Sequence, residues 1–479
     1  MNSVLLSKNQ LYLLILFFAC IISRFVSTIY YIEDIDSLRF ALSLYDYSLS
    51  NLQPHFPGYP VFCFFAKILY SIIPSMGISF SVIGAISTFI IIYYSLYLAN
   101  TEIKSPEGVF MAFIIFFNPM IWLMGNRYMP DLMGLALALA ILYFFILPQS
   151  NKNKLFFGFF LTGVLLGTRL SYFPLIIIPF FKNLQEGLSL KKICYFVLGV
   201  AIWLIPLILL EGFDSLIESA RKQTLGHFTE FGGTVITESN WLDRLLYTIE
   251  SVWSDGLGGY WIARSWQTMF FSFFLVILIA VGIYTIIKNW RHEKYLRRII
   301  RCIILYFLWV LFFQNVIYKS RHILPILLLF FIILTIGIEF IVKKKSMKLN
   351  MIAIIFSLSL VQITGKLVFD HKKPVAISQL KDDIVNNYTH KTIISTPLIN
   401  FYLQIHNIDA TFINVFNANQ LVELHDSLNQ ESAIVVGNFT QLLPLKFNVI
   451  KLKTYYHNPY VNRMWSKIET FSLIYKKES

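Results

Sequence analysis

The stretch LFFGFFLTGVLLGTRLSYFPLIIIPFF, residues 155–181, decides how this chain is folded. It is apolar throughout and long enough for a helix to cross the ~30 Å hydrocarbon core of a bilayer. Arg169 nevertheless stands near its middle, with Gly167, Thr168 and Ser171 around it and Pro174 just beyond. One straight helix would leave a guanidinium in lipid, at a cost of about 3 kcal/mol or more. Two short helices meeting at Arg169 carry that charge to the membrane surface instead, and the glycine and proline supply the break. The sequence therefore predicts a V-shaped helical pair with its apex at Arg169.

Working outward, runs of spanning length occur near 11–32, 78–98, 108–125, 131–147, 193–210, 267–287, 299–317, 322–342 and 349–369. With the broken pair they predict an α-helical polytopic membrane protein of about eleven transmembrane helices. The composition agrees: 56% of residues are hydrophobic, 17% aromatic and 14% charged, and the mean hydropathy is +0.63. A soluble protein carries about 25% charged residues, so a soluble enzyme, a disordered chain and a fibrous repeat are excluded. The first run is too long for a signal-peptide core and lacks a small-residue cleavage site, so a retained span is expected.

The net charge of +13 does not point to nucleic acid, because most of the excess lies in short loops. With the N-terminus inside, the inner segments 1–10, 99–107, 148–154, 182–192, 288–298 and 343–348 hold sixteen Lys and Arg. The outer segments are longer and poorer in them. This is the positive-inside bias, and it predicts that 33–77, 211–266 and 370–479 face outward. Cys20, Cys63, Cys194 and Cys302 are scattered in apolar surroundings without CxxC spacing, which suits buried thiols and neither a metal site nor a disulfide framework.

The tail changes character. From about Lys372 the chain turns polar, and KTIIST, ATFINV and AIVVG read as short buried strands between helix-like stretches. The expected division is a membrane module over 1–371 and a small exoplasmic α/β domain over 372–479. It shows no glycine-rich phosphate loop and reads as an accessory or packing domain.

The polar residues gather at outer span ends. YYIEDIDSLRF (30–40) puts Glu33, Asp34 and Asp36 at the exit of the first span. On a helix Glu33 and Asp36 share a face at i, i+3, a spacing that holds one divalent cation or one substrate hydroxyl; a solvated loop start with acids at a helix N-terminus is the alternative. QPHFPGYP (53–60) fixes a turn that presents His55 at the entrance to PGYPVFCFFAKILYSII (57–73), which suits a helix lying along the interface. NRYMPD (126–131) places Asp131 at a helix start, where an acid is a good N-terminal cap. Lys319, Arg321 and His322 lie together in YKSRH, and with Arg169 they supply forked and point cations suited to phosphate oxygens, or side chains that snorkel to headgroups. Arg24, about two turns below Glu33, should face protein and pair with a carboxylate. His227 and Glu230 sit in a long outer segment rich in glycine and aromatics, the kind of surface that stacks on a sugar.

The order of acidic cluster, HFPGYP turn, interfacial helix and second span resembles the GT-C superfamily of polytopic glycosyltransferases, which includes protein O-mannosyltransferases, aminoarabinose transferases and oligosaccharyltransferases. EDID (33–36) and HFPGYP (55–60) follow that plan, with Phe56 and Gly58 departing from the commoner H-P-P-L wording. The resemblance covers roughly 1–370. It implies an enzyme that moves a monosaccharide from a polyprenyl-phosphate donor to a glycan, lipid or protein acceptor on the periplasmic or luminal face, with inversion. A bacterial member would sit in the inner membrane. Carried onto this sequence, it implies Asp34 or Glu33 as base and Asp36 beside it. His55, Asp131, Arg169, His227, Lys319, Arg321 and His322 would line the site, and Asp36 and Asp131 would be ligands for a divalent cation (Mg or Mn). A transporter or lipid flippase is the alternative reading. Against it stand the absence of a two-halves repeat and the placement of polar groups at one face instead of the midplane.

Overall fold

The computed structural model describes residues 8–147, 152–187, 189–229, 234, 236–237, 240–291, 293–315, 319–344, 347–388, 391–416, 433–437 and 447–475. Glu230 lies outside them. The chain forms two compact units: Met1–Tyr30 with Arg39–Phe369, and Tyr31–Leu38 with Asp370–Ser479.

The first unit is helical. Among the described residues seven helices are long and apolar enough to cross a membrane, and Pro60–Ile72, Pro106–Phe116 and Asp131–Ile146 are shorter apolar helices. Many aliphatic side chains on the long helices stay exposed; Leu209, for example, is 80% exposed on the helix Leu190–Glu211. An apolar surface of that extent suits lipid and not water, and the chain is an integral multi-pass membrane protein.

Two breaks shape this unit. The helix Lys152–Arg169 ends where Arg169 leaves helical geometry (φ −156°, ψ 82°), and a 3₁₀ turn, Leu170–Tyr172, leads into the helix Phe173–Gln185. The break at Arg169 is where the sequence places it. The run 108–125, by contrast, is not one span. It divides into Pro106–Phe116 and Pro119–Met124. Pro119 disfavours helix at Asn118 and offers no N–H to continue one, and Asn118 Oδ1 caps the new helix by accepting from Ile121 N at 3.0 Å.

Arg24 is fully buried, and among the described residues its guanidinium meets no carboxylate. It lies over the rings of Trp122 (4.2 Å) and Phe116 (4.8 Å) and donates to Phe116 O at 3.2 Å. Cation–π contact replaces the expected ion pair.

The second unit carries five strands: β1 (Thr392–Ser395), β2 (Thr411–Asn414), β3 (Ala433–Val436), β4 (Phe447–Tyr456) and β5 (Lys467–Tyr475), in the order β2-β1-β3-β5-β4. The first three are parallel, with Ile394 opposite Ile413 and Val435; β5 runs antiparallel to β3, and β4 to β5. Parallel strands are covered on both faces and so read as unbroken apolar runs, which is why TIIS and AIVV stand out in the sequence. Ile394, Val415, Ala433, Val435, Phe471 and Leu473 form the core.

Candidate active site

The HFPGYP turn is built by backbone geometry that few residues tolerate. Gly58 has φ +84°, and a Cβ there would lie 2.3 Å from Tyr47 Oη. Tyr59 follows in the left-handed region (φ 48°), and Pro60, which lacks the N–H that would find no acceptor in a first turn, opens the helix Pro60–Ile72. Tyr47 Oη donates to Gly58 O at 2.9 Å and holds the turn. Tyr59 Oη then lies 3.2 Å from His55 Nε2 and 3.3 Å from Arg169 Nη1. The Phe40 ring packs edge-on against both Tyr59 and His55.

Asp131 opens the helix Asp131–Ile146, but Pro130 takes the capping position and the Asp131 side chain caps nothing. Its carboxylate instead faces two guanidiniums, Arg169 Nη2 at 2.8 Å and Arg321 Nε at 3.7 Å, with Asp131 fully buried. Gly134, one turn on, makes this possible: a Cβ there would lie 2.5 Å from Arg169 Cβ. Arg169 is 5% exposed and Arg321 8%, so neither snorkels to the headgroups. Arg169 also lies over the rings of Tyr59 (5.6 Å) and Tyr172 (5.7 Å), and its Nε–H has no acceptor among the described residues. Arg321 and His322 come from the 3₁₀ segment Ser320–Ile326, pinned where Tyr306 Oη donates to His322 O at 2.9 Å. Tyr306 packs edge-on against Tyr172.

His55, Asp131, Arg169 and Arg321 are thus linked into one buried network through Tyr59, with His322 held beside it by Tyr306. Lys319 precedes the 3₁₀ segment and is half-buried. His227 donates from Nε2 to Phe313 O at 2.8 Å. Tyr59, Tyr172 and Tyr306 were not legible as site residues. Tyr59 stands inside HFPGYP and Tyr172 inside GTRLSYFP, but Tyr306 lies in a plain apolar run, in a chain that has 26 tyrosines.

The acidic motif lies in the second unit, and Glu33, Asp34 and Asp36 are all buried. Asp34 Oδ1 accepts from Ser37 N at 2.8 Å and so caps the helix Ile35–Leu42. His371 Nε2 lies 2.7 Å from Glu33 Oε1, with both side chains within 2% of full burial. Tyr31 Oη donates to His371 O, and Tyr402 Oη to Ile32 O at 2.7 Å. His457 donates from Nε2 to Asp370 O at 3.1 Å. Burial pushes the His457 imidazole below its ordinary 6.5, although the Asp370 carbonyl and the Glu33 carboxylate both favour the charged form.

Among the described residues no group of three or more His, Cys, Asp or Glu side chains could hold a metal ion. Asp131, with two guanidiniums against its carboxylate, has the partners of an ion-paired acid and not those of a metal ligand.

No protein-family model matches the chain, and no curated protein does. Solved structures do. ArnT from Cupriavidus metallidurans bound to undecaprenyl phosphate is similar over 96% of this chain and 97% of its own, with a TM-score of 0.56 and 12% identity. The apo state of the same protein is similar over 97% and 98%, with a TM-score of 0.53 and 11% identity. At such identity the likeness is one of fold alone: this chain has an ArnT-like fold.

Proposed function

We propose that this chain is a membrane glycosyltransferase that takes a monosaccharide from a polyprenyl-phosphate donor on the exoplasmic face. The observation that carries the reading is the convergence of Arg169 and Arg321, from distant parts of the chain, on buried Asp131. Two guanidiniums held rigid in a protected place are costly unless they serve an anion, and forked N–H donors match phosphate oxygens. The unsatisfied Arg169 Nε–H is the donor a phosphate oxygen would fill. That the similar ArnT structure is bound to undecaprenyl phosphate supports the same ligand class.

The chemistry then follows from charge. A carboxylate of the EDID motif, Asp34 or Glu33, takes the proton of an acceptor hydroxyl. The acceptor oxygen attacks the anomeric carbon from the side opposite the phosphate, so the new bond inverts that centre. The C–O bond to the lipid phosphate breaks, and the leaving phosphate keeps the electron pair and is stabilised by Arg169 and Arg321. Asp131 keeps the two guanidiniums parted and aimed; Asp36 orients the base.

The test has two arms on protein in nanodiscs. Arg169→Ala and Arg321→Ala should weaken binding of undecaprenyl phosphate roughly 10- to 150-fold, and Asp34→Asn should not. Asp34→Asn or Glu33→Gln should cut release of undecaprenyl phosphate by about 10²–10⁴-fold. The assay uses a panel of undecaprenyl-phosphate monosaccharides with membrane extract as acceptor. Equal lipid affinity in all variants removes the phosphate site. Wild-type release in both acidic variants removes the base and favours a transporter. Sidedness is tested apart: Asn386→Cys, on an exposed helix position, should react with an impermeant maleimide in intact cells.

A further inference from the structure

Three hydrogen bonds tie the residues just before and within the acidic motif to the C-terminal segment. Tyr31 Oη donates to His371 O, Tyr402 Oη donates to Ile32 O at 2.7 Å, and His371 Nε2 lies 2.7 Å from Glu33 Oε1. The partners are 338 to 370 residues apart in sequence. Residues Tyr31–Leu38 belong with Asp370–Ser479 in one compact unit. Asp34 is then fixed from two sides, by these bonds on its N-terminal side and by its own cap on the helix Ile35–Leu42. From this geometry we propose that the C-terminal unit is a working part of the catalytic apparatus, with His371 and Tyr402 as positioning residues for the EDID carboxylates.

A carboxylate and an imidazole buried to within 2% of completion give up their hydration, and an apolar pair of the same volume anchors two segments at least as well. A buried polar pair is retained where orientation matters, and a base must be held to within a fraction of an ångström of its target. His371 fixes the plane and rotamer of Glu33, as an outer partner fixes a ligand or a base. Tyr402 fixes the backbone one residue before it. The sheet domain that supplies Tyr402, through the helix Pro397–Ile405, then does more than pack.

This inference depends on the reading of Glu33 or Asp34 as the base, and the experiment separates the two. Full-length protein in nanodiscs is assayed for release of undecaprenyl phosphate from the donor panel. His371→Ala should lower kcat about 10²-fold, the loss expected of a misplaced catalytic group, with KM for the donor and affinity for undecaprenyl phosphate unchanged. His371→Gln, whose amide still donates to Glu33, should recover most of that loss. Tyr402→Phe should lower kcat roughly 2- to 12-fold, the loss of one neutral hydrogen bond. Combining His371→Ala with Glu33→Gln should cost little more than Glu33→Gln alone, since both act through one contact. If Asp34→Asn and Glu33→Gln retain wild-type rate, the base reading itself falls. If either is inactive while His371→Ala and Tyr402→Phe run at wild-type kcat, only the positioning role falls. A readout free of activity guards against misfolding of the alanine variant: in ¹⁵N-histidine spectra, the His371 Nε2 resonance should move on Glu33→Gln and stay on Arg321→Ala. An unmoved resonance overturns the proposal.

Discussion

Asp131 and Glu33 are both buried carboxylates at the outer ends of apolar spans by sequence, and they are kept in opposite ways. Asp131 is held by Arg169 and Arg321, cations that never lose their protons in a protein. Glu33 is held by His371, a ring that meets it through a single nitrogen. The first arrangement is an ionic lock, suited to aiming guanidiniums at a ligand. The second is one directed contact, suited to fixing the rotamer of a single carboxylate. The difference teaches that the acids of this chain divide by their partners before they divide by position.

The largest effect should come from breaking the lock. Asp131→Ala leaves two guanidiniums buried without their shared counter-charge, which typically costs 3–5 kcal/mol. Asp131→Asn keeps an acceptor of the same shape and should cost less. Glu33→Gln should cost less still, because an amide oxygen can still accept from the His371 N–H. Thermal melts of the three variants in nanodiscs check the order. A Glu33→Gln loss as large as that of Asp131→Ala would erase the distinction between the two acids.

Next comes the anchor of the lock's third element. Tyr306→Phe removes the bond to His322 O and should cost about 0.5–1.5 kcal/mol of stability. It should also weaken undecaprenyl phosphate binding in proportion, since Arg321 sits in the same 3₁₀ segment. A stability loss without any loss of affinity would detach that segment from the phosphate site.

How far the sequence carried this reading depends on the range of the physical signal. The break at Arg169 was legible because a charge inside an apolar run has few tolerable placements. The strands TIIS, TFIN and AIVV were legible because parallel strands are apolar without interruption. The strands FNVIKLKTYY and KIETFSLIY were not, since an antiparallel edge pair alternates lysine and glutamate with its core residues. The split at Asn118-Pro119 was written in an Asn-Pro step but masked by the apolar residues on both sides. Arg24 was rightly read as facing protein and wrongly given a carboxylate, because nothing local says that Phe116 and Trp122 will close over it. His371 was invisible as a partner of Glu33: a lone histidine at the end of a span carries no mark of an acid 338 residues away.

The smallest predicted effect is a response to pH in the unit that carries Glu33. His457 and His406 are both held below 6.5, chiefly by burial. In the window between those lowered values and 6.5 the unfolded chain binds more protons than the folded one. By linkage, stability therefore falls as pH drops below about 6.5 and is fully present above it. Both histidines lie in the unit that carries Glu33 and His371. Hydrogen exchange on the full chain at pH 5.5 and 7.5, corrected for intrinsic rates, should show lost protection in β4, β5 and the helix Pro397–Ile405 at the lower pH. Unchanged protection in those three elements would mean that the buried His406 and His457 do not couple acid to the stability of this unit.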